Sequence, residues 1–414
     1  MGPIALFDKS FLQSLSIDES VWFDQFYIPN ISPLFYVETL ADLDKEMSRG
    51  RTAEQVVGNI AEKTPQLSGA PNVHHSELLL ANLLGQPILM TNRPIVAGGR
   101  PVESGGKKGI NFDISPEAKA FNRWQDGEYQ KIERDFAKAW RANIKSMTFE
   151  SSAIYAQKLG IDISLCKNMQ DAFVAARQIV TSSVKPYDLI AFIVQTLGIP
   201  REYHHEFVRR YQVSGFPPLI HYAPYAAHVI KVEVFFHICV SRGFISADRP
   251  SNKIDIAYLH YLPFCNVFIS GDKLHRSTAN FFLGKNQRFV WGTELKEDLN
   301  KLNDYYLKLP QETKDRGVIS FASKPPTEEE FLTADLWDML GTRWRNKKSE
   351  NIAPVSEEAN EKLLQHIKGF TDAPTLPGDQ MPDPAEELDS LSIQRSIRRK
   401  RGSWYQVPKD LKDG

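Results

Sequence analysis

Cysteine is scarce in this chain: Cys166, Cys239 and Cys265 are the only three in 414 residues. They are widely spaced and odd in number. They outline neither a disulfide framework nor a thiolate metal site, so a reducing cytoplasm is the expected location. Long hydrophobic runs are also missing. No stretch of about 18 uncharged apolar residues occurs. The most apolar segment, Ala226–Val240, is interrupted by Lys231, Glu233, His228 and His237. The reading therefore has no membrane partner. The opening MGPIALFDKS lacks the basic start and longer apolar stretch of a signal peptide. Net charge is −1, so there is no chain-wide basic footprint for nucleic acid, and such a partner would need local cations. No internal repeat at a fixed period is present.

What remains is an ordinary globular composition on a chain long enough for two or three domains, or for one domain with a large insertion. Ile4–Phe7 is an apolar run ending at Asp8 and reads as a strand buried on both faces. Ser10–Trp22 reads as a helix and Phe26–Pro29 as a second strand. Pro33–Leu40 reads as a helix opened by proline and carrying Glu38. The organising stretch is Lys253–His275. Asp255 sits where a helix begins, and Pro263 is expected to end that helix. Val267–Ile269 reads as a core strand, and Ser270-Gly271-Asp272 as the turn that leaves it. Tyr225–Arg242 is expected to be a central apolar helix. Phe281–Trp291 reads as a further strand region and Glu294–Leu309 as an amphipathic helix.

Four acids thus stand at element ends in the α/β parts: Asp8, Glu38, Asp255 and Asp272. The carboxyl edge of an open α/β sheet is where ligands bind. Acids gathered there would repel one another without a cation. Hard ions such as Mg²⁺ or Mn²⁺ take such oxygen ligands. Their contexts, IALFDKS, PLFYVETL, IDIAYL and VFISGD, resemble the PIN-domain family of nucleases, and Ser10 and Ser270 match two small hydroxyls recurrent in it. The resemblance covers about residues 1–47 and 225–287. It implies a PIN-like three-layer α/β/α fold with a central, mostly parallel sheet. It also implies metal-dependent cleavage of phosphodiesters, usually in RNA, with Asp8, Glu38, Asp255 and Asp272 as the metal and catalytic residues and Ser10 and Ser270 behind them. Lys9, Lys273, His275 and Arg276 lie beside the acids in sequence and are candidate phosphate contacts.

On this reading residues 1–48 and 223–310 form the PIN-like domain, split by an all-helical insertion over 49–222. A helical extension follows over 311–345, and 346–414 is a disordered tail whose proline-marked, polar composition buries little. The insertion could carry a protein partner or a second copy of the chain. Its loop AGGRPVESGGKKGI fails the phosphate-loop pattern, because Pro101 and Lys108 stand where glycine and Ser or Thr are required, and it reads as flexible and basic. The aromatics of Phe121–Trp140 read as helix core and the paired histidines as non-ligating. Asp24 reads as solvated, and the RRKR of the tail as a solvated charge run. Two alternatives stand beside the nuclease: a catalytically inactive PIN-like module that binds nucleic acid or protein, and a metal-dependent nucleotide phosphohydrolase.

Overall fold

β1 (Ile4–Phe7) holds the centre of a five-stranded sheet in the computed structural model of this chain. The structure describes residues 2–41, 43–96, 99–112, 116–133, 157–160, 162–182, 185–249, 251–346, 373–377, 390–392 and 397–411, with single positions or pairs between 135 and 139 and between 358 and 369. β2 (Ile28–Ile31) pairs with β1 on one side and β3 (Ala70–Pro71) pairs with β2. On the other side of β1 lies β6 (Val267–Ser270), followed by β7 (Arg288–Trp291). Every pairing in this sheet is parallel, and the order β3-β2-β1-β6-β7 reverses direction between β1 and β6.

Helices cover both faces, which explains why β1 and β6 are almost wholly apolar. Leu6 and Phe268 enter one core with the central helix Pro224–Ser241 and the helices Met169–Thr181 and Pro186–Thr196. Ala5, Phe7, Val267 and Ile269 enter the other, with helices Ile17–Phe26, Ala53–Lys63 and Gly292–Leu307. Phe7 meets Phe23 and Phe35 edge-on at 5.5 and 5.4 Å. The central helix has no polar face: it is buried from Tyr225 to Val240 except for the half-buried Lys231.

Several expectations need correction. The span 49–222 is not all-helical. β3 extends the main sheet, and the glycine-rich loop is an antiparallel hairpin, β4 (Gly99–Ser104) with β5 (Lys107–Phe112). Gly105 and Gly106 both have positive φ, at 60° and 78°. That is the two-residue turn geometry whose twist suits a hairpin. β8 (Ser390–Ser392) adds a parallel strand to β5. Helices Ala53–Lys63 and Pro116–Gln125 share the core of helix Ile17–Phe26, so this part of the insertion is continuous with the first domain. Ser10–Trp22 is two helices, because Ser16 closes a capping box with Glu19 and starts a new helix at Ile17. Pro263 does not end the Asp255 helix; a 3₁₀ turn, Tyr258–Phe264, runs through it. Only the last part of Phe281–Trp291 is a strand. Phe136 and Trp140 lie outside the described residues.

The tail expectation fails over 397–411. β9 (Lys400–Arg401) and β10 (Trp404–Tyr405) form a minimal hairpin docked on helix Ile17–Phe26. Arg401 is 4% exposed and donates to Asp24 at 3.1 Å, to Ser20 at 2.9 Å and to the Glu62 carbonyl at 3.1 Å. Asp24, read as solvated, is buried and also accepts the N–H groups of Gln66, Leu67 and Ser68. Trp404 packs edge-on against Trp22 and donates to Asn303 at 2.8 Å. Composition was the wrong guide here, because one Arg and one Trp with built receptors anchor a segment that is otherwise polar. Arg395 lies outside the described residues.

Candidate active site at the carboxyl edge of the sheet

The strand order reverses between β1 and β6, and the carboxyl edge at such a point is where open α/β sheets bind ligands. Asp8 follows β1 at that edge and caps helix Lys9–Ser14. Its carboxylate accepts the Phe11 N–H at 2.8 Å and the Ser10 hydroxyl at 2.9 Å. From β6, the Ser270 hydroxyl donates to the same carboxylate at 2.5 Å. Burial disfavours the Asp8 anion, but His275, Ser270 and the Phe11 N–H outweigh burial and hold its carboxyl below the ordinary range.

His275 completes this network. Its Nδ1 is 2.7 Å from Ser270 Oγ and 3.6 Å from Asp8, and its Nε2 is 2.6 Å from the Asp255 carbonyl. Ser270 spends its proton on Asp8, so it must accept from Nδ1. Nε2 faces a carbonyl and must also donate. Both ring nitrogens therefore carry protons, and the ring is an imidazolium. Burial pulls its pKa down, yet the Asp8 hydrogen bond and charge, with Asp255, push it up to about 9. This corrects one expectation: His275 is 1% exposed and serves as an internal cation, not a phosphate contact. Lys9 is likewise buried, near enough to Glu38 to oppose the rise in its pKa. Lys273 and Arg276 do lie exposed.

Glu38 comes from helix Pro33–Ala41 and accepts the Tyr258 hydroxyl at 2.7 Å. Burial raises its carboxyl to about 7; Asp8 and Asp255 add to the rise, while Lys9 and Tyr258 oppose it. Asp255, half-buried on helix Asn252–Ala257, is pushed up to about 6, first by burial and then by Asp272 and Asp8, with His275 opposing. Asp272 caps helix Lys273–Thr278 and accepts the Leu274 N–H at 2.6 Å. The four acids foreseen from the sequence thus form one electrostatic cluster, with Glu38 sensing Asp8 and Asp255, and Asp255 sensing Asp272 and Asp8. Among the described residues they do not close into a group of three metal-ligating side chains. Sequence reasoning missed Tyr258, although it stands three residues after Asp255 on a helical run, where the two share a face.

A second polar centre lies on the other side of the same 252–264 segment. Glu233, in the middle of the central helix, is 1% exposed. It is ion-paired with Lys253 and sits 3.1 Å from His260 Nε2. Burial opposes the Glu233 anion, but Lys253, then His260 and His237, more than compensate and hold it far below the usual range. His237 is pulled down to about 4 and His228 to about 3, chiefly by burial. His75 and His260 are lowered for the same first reason.

No protein-family model, curated protein or solved structure matches this chain. No helix among the described residues is long and apolar enough to cross a membrane.

Proposed function

We propose that the chain is a metal-dependent nuclease of PIN-like type, hydrolysing phosphodiester bonds of RNA in the pocket of Asp8, Glu38, Asp255 and Asp272. One observation carries the reading. Near the point where the strand order reverses, burial and neighbouring acids drive Glu38 and Asp255 toward neutrality although Lys9 opposes the rise at Glu38 and His275 at Asp255, so keeping both ionised takes more positive charge than these two supply. A divalent cation would supply that charge. The strand order, with acids following β1 and β6, supports the PIN-like comparison.

The donor set fits Mg²⁺ or Mn²⁺ because it offers carboxylate oxygen and no thiolate. Glu38 and Asp255 would hold the ion, with Asp272 at the rim and Asp8 joining by giving up a hydroxyl partner. When bound, such an ion neutralises the phosphate and lowers the pKa of an attacking water. The chain's own groups arrange the rest. Tyr258 orients the Glu38 carboxylate, and His275 ties Asp8 to the helix that bears Asp255. A different observation favours the non-catalytic module. The Asp8 carboxylate already has its protein partners, which is also how a purely structural acid would look.

Thermal stability under Mn²⁺ titration separates the two. For the nuclease, the melting temperature rises with metal concentration, because the ion binds the native state. Glu38→Gln with Asp255→Asn removes that rise and the Mn²⁺-dependent cleavage of RNA. The same double substitution leaves the metal-free melting temperature unchanged or higher. A wild-type protein that ignores both Mn²⁺ and Mg²⁺ and leaves RNA intact belongs to the second reading.

A further inference from the structure

β7 is an edge strand of the main sheet among the described residues, and its register with β6 places Trp291 opposite Ser270. Neighbouring strands lie about 4.8 Å apart. Trp291 therefore stands one strand away from the serine that holds Asp8. Alternation along β7 sends Val290 into one core and turns Phe289 and Trp291 to the opposite face. Phe289 packs against Phe268 at 5.7 Å and lies 6.5 Å from Trp291. Trp291 is only partly covered. The exposed Arg276 guanidinium lies 5.0 Å from the centre of its ring, and the exposed Lys273 stands one turn earlier on the same helix, which Asp272 caps.

We propose that Trp291 and Arg276 form a base-stacking lip beside the carboxylate pocket, so that the site takes single-stranded nucleic acid; this rests on the nuclease reading of that pocket. A half-open indole offers a π-face to any base, and a guanidinium over it adds cation–π attraction. Lys273 and Arg276 draw the phosphate backbone regardless of sequence. In a duplex the bases are stacked on one another and cannot reach the ring, so the lip selects unpaired strands. A cation over the indole and a second one turn earlier complement a polyanion and do not suit an apolar protein surface.

The test is binding by the full-length chain in EDTA at low salt, read by fluorescence anisotropy of a labelled single strand of about 12 nucleotides. Wild type binds the single strand more tightly than a duplex of the same sequence. Trp291→Leu, which keeps an apolar contact for Phe289, weakens single-strand binding about 5- to 150-fold. A strand with abasic sites binds wild type and Trp291→Leu alike. Arg276→Gln, at an exposed position, also weakens binding and lowers the salt dependence by about one phosphate contact. If Trp291→Leu fails to fold, the Arg276→Gln result decides. No binding by wild type, equal affinity of the variants, or a preference for duplex overturns the lip. Mn²⁺-dependent cleavage by wild type is scored separately. Cleavage without stacking-dependent binding leaves the nuclease reading intact and removes the lip, and binding without cleavage does the reverse.

Discussion

The two polar centres flanking residues 252–264 solve the same problem in opposite ways. Glu233 is buried with its counter-charge built in, since Lys253 pairs with it and the His260 ring, which burial favours in its neutral form, sits beside it from the same short segment. Glu38 and Asp255, carried on or beside that segment, are half-buried among other acids, and Lys9 and His275 only partly offset the rise in their pKa values. Taking a carboxylate out of water costs several kcal/mol unless partners compensate. A centre that compensates itself serves as a joint. One that does not compensate is either relieved by a proton or by an outside cation. Under the proposed function, the difference marks which of the two acid sites would take a cation.

Removing the glutamate from each centre gives the largest contrast. Glu233→Ala leaves Lys253 and His260 without their anion, and denaturant melts are expected to lose about 3–5 kcal/mol. Glu38→Gln in metal-free buffer is expected to be neutral or to gain on the order of 1–2 kcal/mol, since its carboxyl is raised from 4.5 to about 7. A loss of under about 1 kcal/mol for Glu233→Ala would show that the joint is not compensated in the manner described.

Next in size is the pH response. His228 and His237 have folded pKa values lowered from 6.5 to about 3 and about 4. In that window the unfolded state binds more protons, so their contribution is present above 6.5 and lost as pH falls. Together they remove about 2–3 kcal/mol per pH unit between roughly 6 and 4. Glu38 and Asp255 have raised folded values, so the native state binds more protons. Their contribution is present below the ordinary carboxyl range and lost as pH rises through about 7 for Glu38 and about 6 for Asp255. The two centres therefore pull the curve in opposite directions. Glu38→Gln should steepen the acid-side loss, measurable as melting temperature from pH 7 to pH 4. An unchanged profile would mean that Glu38 titrates normally.

The self-compensated joint is also the part least legible in the sequence. Ile4–Phe7, Val267–Ile269 and the central helix announce themselves by apolar runs and turn residues. The four acids are readable because each adjoins an apolar run: Asp8 and Asp272 come after strands, Asp255 opens a helix and Glu38 stands inside one. Glu233 looks merely like an interruption of an apolar helix, since its partners Lys253 and His260 come from a distant segment. The imidazolium character of His275 is hidden for the same reason: it depends on which way the Ser270 proton points after β1 and β6 have paired. Arg401 and Trp404 sit in a composition that resembles a loose tail, and only their receptors on helix Ile17–Phe26 make them core. Local pattern carries strand and helix identity. Compensation of buried charge is a tertiary property.

The finest contrast lies within one 3₁₀ turn, where Tyr258 faces the acid pocket and His260 faces Glu233. Tyr258→Phe keeps the ring and removes only the donor to Glu38. A hydrogen bond to an ionised group is worth about 1.5–3 kcal/mol at most, and the net loss of folding stability is expected to be nearer 1 kcal/mol because Glu38 can take a proton instead. That proton is the useful signal. Without the phenol the carboxyl rises further, so Mn²⁺ must compete with a proton more strongly at pH 6 than at pH 8. The Mn²⁺-induced rise in melting temperature should therefore shrink in Tyr258→Phe at pH 6 and recover toward wild type at pH 8. His260→Gln, changed on the opposite side of the same turn, should lower stability at both pH values without altering that metal response. Equal shrinkage at the two pH values would separate Tyr258 from the ionisation of Glu38 and leave it a packing residue.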